Sequence, residues 1–191
     1  VTFGPVSQGR VPFSVNGDPY SLVLPDDGRV LAGIAASGEW SQIVPGLLDD
    51  DDWHEWMDRL RDPRDPLQYR VCWRVALGLA ERIYGMPWWA AHRLCTIAVD
   101  QWRVYEPWTV TRGFDPGAAP AHRICASILA WARSSCQKES ELARLDHTIF
   151  TPPPEWVSVT GPARPAGFSD AELEQQAAQF AAFAPHEIAD S

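Results

Sequence analysis

The sequence predicts a mainly α-helical protein: a helical body with a short N-terminal β-hairpin, then a Pro-rich linker and a C-terminal amphipathic helix. Three observations predict it. Apolar residues recur at three- and four-residue spacing through most of the chain. One stretch near the N-terminus instead alternates with period two around an Asn-Gly pair. The 17 prolines among 191 residues punctuate these periodic segments. The predicted divisions are 1–10 as a flexible N-terminus, 11–154 as the body, 155–168 as the linker and 169–191 as the last helix.

The hairpin is written in VPFSVNGDPYSLVL. Val11, Phe13 and Val15 alternate before Asn16-Gly17, and Tyr20, Leu22 and Leu24 alternate after it. Pro19 suits the first position of a strand and not its middle. A lone hairpin is marginal in water, so this one needs a body to lean on.

The helices follow in order. Asp26 or Asp27 caps GRVLAGIAASG, which stops at Gly38. EWSQIVPGLL reads as a short helix interrupted at Pro45. The run Asp49–Asp52 then opens a helix with Trp53, Trp56, Met57 and Leu60 at helical spacing and Arg59 and Arg61 near its end. Consecutive aspartates point in different directions, so the run reads as a cap and a solvated surface and not as a metal cage. A helix is expected from Leu67 to Tyr84 with a wide apolar face from Val71 to Ile83. Another is expected from Pro87 to about Tyr105, a third from Ala118 to Cys136, and a shorter one through KESELARLDHTIF up to Pro152-Pro153-Pro154. TPPPEWVSVTGPARPAGF, with five prolines, reads as an extended linker. Ser169 and Glu172 then form a capping box, and Leu173, Ala177, Phe180 and Ala184 make one stripe of a helix with no Lys or Arg.

AHRLC at 91–95 and AHRIC at 121–125 place His three residues before Cys, twice. Two His and two Cys are the ligand set of a structural zinc site. Helical periodicity gives a different account. In both words Ala and Cys fall on the apolar face, His on its border and Arg outside, so Cys72, Cys95 and Cys125 are expected as core residues with no bound metal. No phosphate-binding Gly loop, nucleophile elbow or His-Glu-x-x-His pattern is present. The protein is therefore expected to be no enzyme, and no catalytic residue or cofactor is assigned.

Net charge is −9, with Lys138 as the single lysine. No basic patch stands out, so nucleic acid is not an expected partner. Apolar runs are broken by Arg, His or Asp, so no membrane span is expected. Absence of a charged-then-apolar leader and dispersed thiols suit a cytoplasmic protein. Ten tryptophans suggest contact surfaces. In GMPWWAAHRL, Trp88 falls on the apolar face and Trp89 on the polar face with Arg93. Trp89 either packs beneath a neighbouring element or meets a partner. Trp88, Trp89, Arg93, Leu173, Phe180 and Phe183 are the expected partner-binding residues.

Several stretches together resemble the tail assembly chaperones of long-tailed phages and prophages of actinobacteria. They are FSVNGDPYSLVLP, LAGIAASGEWSQIVPGLLDDDD, the Gly-x-Pro-Trp-Trp start of GMPWWAAHRL, the connector GFDP and the exit ARLDHTIFTPPP, spanning roughly residues 11–154. The resemblance implies a non-enzymatic role. Such proteins bind the tape-measure protein and keep its helices soluble in the host cytoplasm while the tail assembles. Another phage tail protein, or a second copy of the chain, is an alternative partner. The alternative role is a virion structural protein, such as a head–tail connector or a tail-associated component.

Overall fold

The computed structural model describes residues 1–6, 9–67 and 69–154. The chain divides into two units, Val1–Thr151 and Pro152–Ser191. The expected linker and last helix, with Leu173, Phe180 and Phe183, lie outside the described residues.

The first unit is mainly helical with a small antiparallel sheet, as the periodicities require. Strands β2 (Arg10–Val15) and β3 (Asp18–Val23) form the predicted hairpin, with Val15 opposite Asp18. Asn16 and Gly17 take positive φ of 56° and 100°, the tight turn that Asn-Gly favours. The stretch read as loose supplies a further strand, β1 (Thr2–Phe3), paired with β2 through Thr2–Ser14 and Phe3–Phe13. Two residues carry no legible period, which is why the strand was not expected. Phe3 is held from outside the sheet. Its ring lies where a Cβ on Gly78 would be, 2.4 Å from Cζ, so glycine at 78 lets the ring settle against its helix.

Val11, Phe13, Val15, Tyr20 and Leu22 are all buried, so the alternation gave the correct inner face as far as Leu22, while Leu24 lies past β3 and is half-buried. That face rests on Trp56 of α3 (Asp50–Arg61), which packs edge-on to both Phe13 and Tyr20, with centroids 6.0 and 5.2 Å away. The acidic run has two structural tasks. Asp49 caps α3 by accepting from the Asp52 amide at 3.2 Å and pairs with Arg10 at 3.5 Å. Asp52 accepts from the Ser21 amide at 2.8 Å, covering part of the exposed edge of β3. Pro19 lies in this edge strand, where a missing N–H costs no ladder bond.

The remaining helices are α1 (Gly28–Ser37), α2 (Ile43–Leu47, after a 3-10 turn at Trp40–Gln42), α4 (Tyr69–Tyr84), α5 (Trp88–Asp100), α6 (Trp102–Val110), α7 (Ala121–Ser134) and α8 (Glu139–Phe150). Asp27 caps α1, accepting from Arg29 N at 2.9 Å, and Gly38 ends it at φ 71°. The helix expected from Pro87 to Tyr105 is two helices. Gln101 leaves helical geometry at φ −117°, ψ 28°, and the chain restarts as α6. Pro107 lies inside α6 and supplies no amide to it. α7 starts three residues later than expected because Pro120, at ψ 150°, is its N-cap.

Small residues set the centre of this unit. Ala32 and Ala35 of α1, Ala90, Ala91 and Ala98 of α5, and Ala121 of α7 are buried, so helix backbones approach closely. Tyr84, at the end of α4, donates to the Leu31 carbonyl of α1 at 2.7 Å and thereby satisfies a deeply buried hydroxyl. Burial pushes its phenol well above the ordinary range.

Candidate interaction surface

The sequence points to α5 for a partner contact, and the structure places its three residues there differently. Trp88 is half-buried, edge-on to Trp40 at 6.1 Å and to Trp89 at 5.7 Å. Trp40 is itself fully buried and edge-on to Tyr84 at 5.7 Å. Trp88 therefore continues an aromatic row from the core to the surface. Trp89 is also half-buried, and its indole N–H donates to the Phe150 carbonyl at 3.2 Å. Of the two sequence readings for Trp89, packing against a neighbouring element is met by α8.

Arg93 completes that contact. Its Nη1 donates to the carbonyls of Thr148 and Thr151 at 2.6 Å and of Ile149 at 3.2 Å. A helix C-terminus exposes unpaired carbonyls and the negative end of the helix dipole. Trp89 and Arg93 together cap the end of α8 from α5. Their polar groups already serve the fold.

The His–Cys words prove partly spatial. Cys95 and Cys125 meet in the core with 3.9 Å between sulfurs. Their histidines do not join them. His92 Nδ1–H donates to the Ala35 carbonyl at 2.8 Å, and His122 is exposed. Among the described residues no three His, Cys, Asp or Glu side chains come together as a metal's ligands would. Cys72 is half-buried instead of fully buried, and desolvation pushes its thiol up to about 12.

The densest polar cluster ties the hairpin to α3. Arg59 donates to Tyr20 Oη at 2.6 Å, to Asp18 at 2.7 Å and to Asp65 at 3.0 Å. Tyr20 donates onward to Glu55 at 2.9 Å, and Asp65 accepts the Leu67 amide at 2.6 Å. Burial pushes the Tyr20 phenol up to about 12 against the opposing pull of Arg59. The Arg59 guanidinium holds the Asp65 carboxyl below the usual carboxylate range. Each of these side chains has a hydrogen-bond partner within the fold.

Sequence reasoning missed the surface with the largest exposed aliphatic groups. On α6, Val104 and Val110 are 61% and 67% exposed, and Pro107 lies exposed between them at three-residue steps. Val99, near the end of α5, is 46% exposed. It lines a cavity of about 280 Å³ with Trp102 and Arg29. Tyr105, the last residue of the expected stripe, stays fully buried after the break at Gln101, while these valines face water. Trp108 is shielded by Arg112, whose guanidinium lies 3.9 Å above its ring.

Comparison with protein-family models, with curated proteins and with solved structures finds no match in any of the three. No helix among the described residues is long and apolar enough to cross a membrane.

Proposed function

We propose that this protein is a non-enzymatic tail assembly chaperone that binds the tape-measure protein and keeps it soluble during tail assembly in the host cytoplasm. The observation that carries this reading is the aliphatic face of α5 and α6. Val99, Val104, Pro107 and Val110 are exposed, and Val99 lines a cavity with Trp102 and Arg29. Such a face is suited to an amphipathic client helix, which buries its apolar stripe against valines and sets its polar face outward. Trp88 and the ring of Trp89 offer a second contact, and Leu173, Phe180 and Phe183 a third by their spacing. The resemblance of residues 11–154 to tail assembly chaperones supports the same reading, and net charge of −9 favours a soluble client complex.

The test is co-expression with a candidate tape-measure protein, a long helical chain. The wild-type chain is expected to bring that protein into the soluble fraction and to co-purify with it. Val104→Glu with Val110→Glu is expected to reduce recovery at least tenfold while leaving the melting temperature within a few degrees. Equal recovery by the double variant would overturn the reading. Mass analysis of purified particles separates the structural alternative: a chaperone is depleted from them, and a connector is present at fixed copy number.

A further inference from the structure

Cys95 on α5 and Cys125 on α7 are 30 residues apart in sequence and 3.9 Å apart at sulfur. Both are completely buried. Ala91 and Ala98 flank Cys95 on its helix, and Ala121 lies one turn before Cys125, so the two backbones run close enough for short side chains to touch. The phenols nearby are committed elsewhere: Tyr84 donates to the Leu31 carbonyl, and Tyr105 is bonded to Ser127. Each thiol thus has the other as its polar neighbour.

We propose that Cys95 and Cys125 form an oxidisable dithiol that closes to an intramolecular disulfide, tying α5 to α7, when a two-electron oxidant of the diazene or peroxide class reaches it. Two S–H bonds break and one S–S bond forms. Two protons and two electrons pass to the oxidant, so a diazene N=N becomes a hydrazine and a peroxide becomes two waters. The sulfurs must approach by roughly 1.9 Å to reach bonding distance. Side-chain rotation about Cα–Cβ supplies a displacement of that order. The product carries no charge and no polar hydrogen, so an apolar core accepts it.

Burial sets the kinetics. The attacking species is a thiolate, and the shared S–H···S contact together with desolvation holds the Cys95 thiol well above the usual range. Closure is therefore slow and gated by opening of the α5–α7 seam. Once made, the bond is equally hard for a solvent reductant to reach.

The test uses the full chain with Cys72→Ser and Cys136→Ser, leaving the pair as its only thiols. The folded protein is exposed to diamide, quenched in acid, denatured and alkylated, then mapped by mass spectrometry. The expected result is loss of both alkylation sites, a mass lower by about 2 Da, and one linked peptide pair holding Cys95 and Cys125. A further Cys95→Ser or Cys125→Ser is expected to abolish the linkage. The oxidised protein should melt higher than the reduced one, with reversal by a phosphine. The same map on the wild-type chain serves if the serines disturb folding. Retention of both thiols in the folded protein, closure only after denaturation, or linkage only between chains would each overturn the proposal.

Discussion

Gly28 opens α1 where the chain passes under the connector before α7. Its amide donates to the Gly117 carbonyl at 3.0 Å. A Cβ there would lie 2.3 Å from the Ala119 carbonyl oxygen, 2.6 Å from that of Pro116 and 2.4 Å from Ile124 Cδ1. Backbone oxygens cannot rotate aside, so Gly28→Ala is expected to cost about 2–3 kcal/mol by denaturant melting. Gly33, five residues on in the same helix, meets nothing within 4 Å. Gly33→Ala is expected to stabilise by about 0.5–1 kcal/mol, since alanine narrows the unfolded ensemble and favours the helix. Tyr20 sets a pH limit. Its phenol titrates near 10 when unfolded and is pushed up to about 12 in the fold. The protonated form belongs to the native state, so its contribution is complete below pH 10 and is lost as pH rises toward 12. Tyr20→Phe should flatten the alkaline limb of stability against pH. An unchanged limb would place the loss at other groups.

At the scale of elements, α8 depends on α5 for its ending. Arg93 and Trp89 together donate to four carbonyls at its C-terminal end. Arg93→Ala leaves three of those oxygens, of Thr148, Ile149 and Thr151, without that donor and is expected to cost about 1.5–3 kcal/mol. Hydrogen exchange should locate the loss in α8 amides, with those of α4 little changed. The hairpin depends on α3 in a comparable way. Trp56→Ala removes the ring on which Phe13 and Tyr20 rest, and a cost of about 3–5 kcal/mol is expected. The Arg59 cluster cannot compensate, because its Tyr20 bond is positioned by the same packing.

For the whole molecule, Val1–Thr151 forms one unit around Trp40, Tyr84, Leu94, Ile124 and Ile128, all fully buried. Truncation after Pro154 is expected to leave a protein that melts cooperatively, checked by circular dichroism. Loss of cooperativity would move the boundary. The unit also leaves Val99, Val104 and Val110 exposed on α5 and α6.

The sequence by itself determined the mainly helical class, the Asn-Gly hairpin and its buried face, the capping of α1 and α3, and the inward placement of Cys95 and Cys125. These are local properties: side-chain periodicity fixes which face is apolar, and turn and cap residues act within four positions. Tertiary structure alone decided that Thr2 and Phe3 join the sheet, that the helix after Pro87 breaks at Gln101, and that two like-spelled histidines part company. His92 faces the α1 carbonyl of Ala35, while His122 faces solvent beside the Gly85 turn. It also decided that Arg93 serves α8, because backbone carbonyls occur at every residue and leave no spelling to read. The meeting of two sulfurs 30 positions apart depends on how closely alanine-lined helices approach, a distance that no single helix encodes.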